Sequence, residues 1–174
     1  MNKKVKYAAL AAALLLFFAS TLALFFEIRY PVAYYGEIKD ACKRHGLDEE
    51  LIMSVIWTES KFDAQARSSA GAIGLMQLMP DTAKWCADMN GELFSTEMLT
   101  DGAYNIRLGT YYFKYLVDKF DDEKIALAAF NAGEGNVSRW LQDGGKIEFK
   151  ETERYVNTVL KTKNIYKIKL KWLK

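Results

Sequence analysis

Glu59 stands where an apolar residue is due. Ile52, Val55 and Ile56 fall at i, i+3, i+4 spacing on a predicted helix, and the next position of that stripe is a carboxylic acid. Two readings are open. The head group escapes to solvent at the helix end, or the acid lies against an apolar wall. In the second case desolvation disfavours the charged form and raises the pKa, which suits a general acid near neutral pH. A second polar side chain, Gln77, lies inside an otherwise apolar run. A buried Gln needs partners, either backbone groups or a ligand. The segment between them, Ser60 to Gly74, is rich in Ser, Ala and Gly and reads as a tight turn region. Two polar groups in apolar surroundings, joined by such a segment, point to a cleft rather than a core.

The elements that must hold these groups read as helices. Asp48 is placed to cap the helix carrying Glu59, with Glu49 and Glu50 in its first turn. A helix over about Ala33 to Arg44 precedes it and stops at His45-Gly46. Pro80 suits a first helical position, Asn90-Gly91 ends that helix, and Leu93 to Leu99 reads as a loop. Thr100 or Asp101 caps a long helix to about Phe120, with Tyr104, Leu108, Tyr111, Tyr112 and Tyr115 on one face, a stripe that reads as core. Gly109 in its middle implies close approach by another backbone. Asp121-Asp122 opens a helix closed near Gly133. A short helix covers Val137 to Leu141, and a last one starts near Thr152 with Tyr155, Val156, Val159 and Leu160 on its apolar side. Extended pieces are expected only at Lys146 to Phe149 and in the alternating run Lys167 to Lys171.

Composition frames the rest. The chain of 174 residues fits one domain, and its 51% apolar content exceeds what such a core needs. The excess lies in Tyr7 to Phe26, an uncharged stretch long enough to cross a bilayer as a helix. Lys3, Lys4 and Lys6 precede it and place the N-terminus in the cytoplasm. The rival, a cleaved signal peptide, lacks an Ala-x-Ala site here. Those three lysines taken from the 24 Lys and Arg leave 21 against 22 Asp and Glu, so no basic field suggests nucleic acid. The stretch Lys161 to Lys174 carries lysines and no acid. It reads as a solvated tail, or as one drawn to anionic lipid or wall polymer. Cys42 and Cys86 have no metal-ligand spacing and His45 has no partner His, so no metal and no cofactor are expected. Whether the two cysteines pair is left open.

Glu59-Ser60-Lys61-Phe62, Ala66, Ser68, Gly71-Ala72, Gly74-Leu75-Met76-Gln77 and Met79-Pro80 together resemble the signature of the soluble-lytic-transglycosylase-type (SLT) domain of the lysozyme superfamily. Asn105-Ile106 with Gly109, Ala129-Phe130-Asn131-Ala132-Gly133 and Glu151-Thr152-Glu153-Arg154-Tyr155-Val156 resemble its later motifs, with Phe130 where Tyr is usual. The resemblance covers roughly Tyr35 to Val159. It implies a mainly α, lysozyme-like compact domain with a groove for a glycan strand, and leaves the basic tail and the one transmembrane helix read from Tyr7 to Phe26 unexplained. The expected organisation is a cytoplasmic N-terminus (1–6), an anchor (7–26), a short linker (27–34), the catalytic domain (35–160) and a basic tail (161–174).

The resemblance further implies cleavage of the β-1,4 bond between N-acetylmuramic acid and N-acetylglucosamine in peptidoglycan, leaving 1,6-anhydromuramic ends. Glu59 matches the catalytic acid/base. Ser68, Met76, Gln77, Asn131 and Tyr155 match substrate-contacting positions, while Glu151 fits a cap or ion pair equally well. Read without the resemblance, Asn131 is a helix C-cap beside Gly133 and Tyr155 a core position with its hydroxyl at the surface. The expected partners are peptidoglycan strands and the cell membrane, with the domain outside the cytoplasm. The alternatives are a hydrolytic muramidase of the same fold and a non-catalytic wall-binding module.

Overall fold

The computed structural model describes residues 2–173. Met1 and Lys174, the ends of the expected cytoplasmic segment and basic tail, lie outside the described residues. The chain forms two units, 1–33 and 34–174.

The first unit is one helix, α1 (Lys3–Arg29). It runs past the expected 7–26 at both ends because neither Lys3 to Lys6 nor Glu27 to Arg29 contains a breaker. Asn2 caps it, its side chain accepting from the Lys4 N–H at 3.2 Å. Pro31 ends it by pushing Tyr30 out of helical geometry, to φ −130°, ψ 72°. With 27 residues and few charges, α1 is long and apolar enough to cross a membrane.

The second unit is helical: α2 (Tyr35–His45), α3 (Glu49–Ser60), α4 (Pro80–Asn90), a 3₁₀ turn (Thr96–Thr100), α5 (Gly102–Phe120), α6 (Glu123–Ala132), α7 (Glu134–Gln142) and α8 (Lys150–Leu173). Among the described residues there is no strand, only isolated bridges of Ile73 to Arg67 and to Leu78. This is the mainly α, lysozyme-like architecture expected. At its centre lies α3, buried all round from Leu51 to Trp57, as a helix apolar on every face must be. Helix α8 is its principal neighbour. Asp48 sits at the N-cap position of α3 but makes no side-chain cap; its carboxylate lies 3.0 Å from Lys163 Nζ on α8 instead.

The turn-rich segment after α3 is pinned by one buried side chain. Asn105 on α5 accepts the Met76 N–H at 2.8 Å and donates to the carbonyls of Ile73 (3.0 Å) and Leu99 (2.9 Å). Gly74 passes so close that a Cβ there would stand 2.3 Å from both Asn105 Nδ2 and the Leu99 carbonyl oxygen, at φ +82°. Only glycine fits.

Several expectations change. Helix α7 begins at Glu134 rather than Val137, and the loop at 93–99 contains a 3₁₀ turn. What approaches Gly109 is the side chain of Met76, not a backbone: a Cβ there would lie 2.5 Å from Sδ. The largest change is at the C-terminus. Residues expected as a tail, including the alternating run at Lys167 to Lys171, continue α8 to Leu173. Thr162, Tyr166 and Leu170 extend the buried stripe of Tyr155 and Val159 at helical spacing, so the governing period is 3.6 and not 2. Cys42 and Cys86 are both free and buried, and burial pushes each thiol pKa up to about 12.

Candidate active site

Helix α3 ends just after Glu59, and two consecutive residues in left-handed conformation, Lys61 (φ +56°) and Phe62 (φ +69°), turn the chain away. Such a pair of non-glycine residues is strained and must be held by its surroundings. Lys61 folds back so that Nζ donates to the carbonyls of Trp57 (2.8 Å) and Thr58 (3.3 Å) and lies 3.6 Å over the Trp57 ring. Ser60 donates to the Leu75 carbonyl at 2.8 Å. Glu59 is thereby fixed at the junction of α3 and the following loop.

Its carboxyl is largely withdrawn from solvent. Desolvation raises the pKa from 4.5 to about 7, against the opposing pull of the Tyr155 hydroxyl and the Lys61 charge. Such desolvation is what the second of the two sequence readings expects, in a residue that is half-buried at the helix end. Tyr155, on the face of α8 packed toward α3, is buried, and its hydroxyl meets no partner at hydrogen-bonding geometry. The phenol and the carboxyl still act on one another, and burial beside Glu59 drives the Tyr155 pKa well up. The geometry favours two groups facing each other with the hydrogen bond not closed. A neutral phenol beside a carboxyl that titrates near neutrality can donate when the carboxyl is charged.

From this pair a path of side chains leads to an open groove. One turn before Tyr155 on α8, buried Thr152 donates to Asn131 Oδ1 at 2.9 Å. Asn131 lies on the groove wall with Gln77, Leu78, Met79, Thr82, Tyr112 and Phe130, around a hollow of about 240 Å³. Thr82 and Tyr112 also line an adjoining hollow of about 340 Å³ with Asp81, Trp85, Tyr115 and Glu134. The two make one groove across the ends of α4, α6 and α7 and the middle of α5. Glu59 stands off the lining of both hollows.

The expected site residues divide. Gln77 and Asn131 line the groove, and Tyr155 faces Glu59. Gln77 is held at φ +47° with Nε2 donating to the carbonyls of Ala66 (3.2 Å) and Gly74 (2.9 Å), so the reading in which backbone groups are its partners holds. Ser68 is exposed and closes a turn, its Oγ accepting the Ala72 N–H at 3.0 Å. Met76 is corrected: at 0% exposure its side chain fills the space beside Gly109 and cannot line the groove. Glu151 is exposed at the start of α8. Phe130 keeps its ring in the groove wall, packed on Tyr112 and Phe113 at 5.7 and 5.9 Å. Sequence reasoning missed Thr152 as the link from Asn131 to α8. It also read the aromatic stripe of α5 wholly as core. Tyr104 and Leu108 are core, but Tyr112 and Tyr115 line the groove with Trp85, whose ring lies 4.9 Å from that of Tyr115.

A helical domain of this build, with one desolvated carboxylic acid near a long groove, is lysozyme-like. The chain belongs to the family described as the transglycosylase SLT domain, whose family model matches residues 37–152. It is 34% identical over 147 residues to the soluble lytic murein transglycosylase of Escherichia coli K12, covering 77% of this chain and 23% of that protein. It is also 34% identical over 146 residues to the membrane-bound lytic murein transglycosylase C of Haemophilus influenzae, covering 78% and 40% respectively. Among solved structures it matches an inactive Glu-to-Gln mutant of the lytic transglycosylase Slt from Pseudomonas aeruginosa (TM-score 0.78, 38% identity, 83% of this chain and 25% of that one). It likewise matches the 70 kDa soluble lytic transglycosylase of Escherichia coli (TM-score 0.79, 31% identity, 88% and 27%). The chain thus spans about a quarter of the length of the soluble relatives it matches.

Proposed function

We propose that this protein is a membrane-anchored lytic transglycosylase that cleaves the β-1,4 bond between N-acetylmuramic acid and N-acetylglucosamine in peptidoglycan and leaves a 1,6-anhydromuramic end. The observation that carries the reading is Glu59, a single carboxyl with its pKa raised to about 7 by burial, linked through Tyr155, Thr152 and Asn131 to an open groove. Protonated, it donates to the bridging oxygen as the C1–O bond breaks and the N-acetylglucosamine end departs. The resulting carboxylate takes the proton of the muramic C6 hydroxyl while that oxygen bonds C1. The proton lost in the first step is regained in the second, and no water is consumed. One group serves both as acid and as base, which a pKa near neutrality favours. Two-carboxylate glycosidases need a partner at ~5–5.5 or ~6.5–9.5 Å. Here the groups acting on Glu59 are a phenol and an ammonium, while Asp81 and Glu134 line the further hollow. Asn131 and Gln77 are placed to hold sugar, and Ser68 is carried as a contact on its motif position alone.

The anchor reading rests on α1, with Lys3, Lys4 and Lys6 ahead of it and the domain outside the cytoplasm. N-terminal sequencing of the mature protein tests it. A first residue at or before Lys3 is expected, and one near Ala23 or later would show a cleaved leader. The chemistry is tested by the mass of the products released from purified peptidoglycan, since an anhydro end is lighter by one water than a reducing end.

A further inference from the structure

The last turns of α8 carry a surface that neither the core nor the groove uses. On the face opposite Tyr166 and Leu170, Ile168 is 62% exposed and Trp172 86%. Ile168 and Trp172 are one turn apart, and with Lys171 they line a shallow hollow. Lys167 and Lys171, also one turn apart, are exposed beside them. The sequence from Lys161 onward has no acid to neutralise these lysines. Lys163 differs: it is spent on Asp48 and Glu123. The other tryptophans, at 57, 85 and 140, are at most 36% exposed, so Trp172 stands apart as a large apolar side chain left in water.

We infer that this end of α8 is a second membrane contact, which docks on the surface of an anionic bilayer with Ile168 and Trp172 among the headgroups and Lys167 and Lys171 on the lipid phosphates. Apolar and aromatic residues flanked by lysines on one helix face are the composition of an interfacial helix. Tryptophan favours the headgroup level because its ring is apolar and its N–H polar. A soluble anionic wall polymer would use the lysines and leave Ile168 and Trp172 exposed, so the apolar residues decide for the bilayer. The covalent connection is also short. Residues 30–34 separate α1 from α2, ~18 Å when fully extended, so if α1 spans a bilayer, as the preceding reading holds, the domain stays at that surface.

The test uses the full chain in vesicles, where α1 contributes no tryptophan to the signal. Emission is compared between the parent and Trp172→Phe, with lipid brominated near the headgroup as quencher, in zwitterionic vesicles and in vesicles with about one third anionic lipid. The difference spectrum isolates Trp172. The expected result is a blue-shifted Trp172 quenched by brominated lipid in anionic vesicles, with quenching lost in Lys167→Glu/Lys171→Glu. Circular dichroism and cleavage of soluble muropeptide remain at parent levels in both variants. Flotation of the protein with the vesicles reports α1 separately, so a failed anchor and a failed α8 contact are told apart. Trp172 emission that stays red and unquenched in both vesicle types overturns the inference. So does equal quenching in both, or a blue shift produced only by a soluble polyanion.

Discussion

At the scale of single residues, the proposed chemistry rests on the desolvation of one carboxyl, which has consequences beyond turnover. Glu59→Gln leaves the shape of the site and removes the transferable proton. General acid–base catalysis is worth ~10²–10⁴-fold, so turnover is expected to fall at least that far while glycan binding and circular dichroism are retained. The parent's activity falls as pH rises through about 7, where the carboxyl loses the proton needed to start the reaction. The same shift appears in stability. The folded protein holds this proton to about pH 7 whereas the unfolded chain releases it near 4.5. The stabilisation is therefore full below about 4.5 and gone above about 7. Over that window the parent should lose roughly 3 kcal/mol relative to Glu59→Gln in denaturant titrations. Tyr155→Phe adds a check on the partner group. The hydroxyl closes no hydrogen bond of standard geometry, so removing it should change stability little. It also removes a group that pulls the Glu59 pKa down, so the alkaline limb of the activity profile should move to higher pH. A limb that moves to lower pH would contradict the pairing.

At the scale of elements, the site depends on a loop whose shape is imposed from α5. Asn105 holds three backbone groups, and without it the Met76 N–H and the Leu99 carbonyl lose this partner while the Ile73 carbonyl keeps the Leu78 N–H. Asn105→Ala is expected to cost about 4 kcal/mol, read from the denaturation midpoint at constant slope, because each orphaned group costs ~1–3 kcal/mol. Much of this level was legible beforehand. The helix ends at Pro80, Asn90, Phe120 and Gly133 follow from caps and breakers, and the Ile52, Val55, Ile56, Glu59 stripe led to the acid. What escaped reading needed the third dimension. The role of Thr152 depends on α6 and α8 meeting at Asn131. Tyr112 and Tyr115 share a helix face with Tyr104, yet the groove opens only over their part of it. Met76 and Gln77 are neighbours in sequence, and a left-handed Gln77 sends one side chain to the core and the other to the groove wall.

At the scale of the whole molecule, α8 is the element whose extent matters most. Lysines without acids suggested a tail and Lys/apolar alternation an extended piece, but the buried positions Thr162, Tyr166 and Leu170 are fixed by packing that sequence periodicity over so short a window does not reveal. Deleting residues 161–174 removes the buried Tyr166 and Leu170 side chains and the Lys163 ion pairs, all in the helix that also carries Tyr155. Each buried side chain is worth ~1.5–3 kcal/mol, so the truncated chain should lose roughly 4 kcal/mol by denaturant titration. Equal stability with and without the segment would show a dispensable tail. The central claim joins all three scales: one buried acid, held by α3 and α8 beside a groove, cuts glycan without water. Mass spectrometry of a digest of purified peptidoglycan by the full chain measures it most directly. The account predicts products ending in 1,6-anhydromuramic acid, each lighter by one water than the reducing-end form, and none with Glu59→Gln. Reducing ends from the parent, or anhydro products from Glu59→Gln at a near-parent rate, would contradict it.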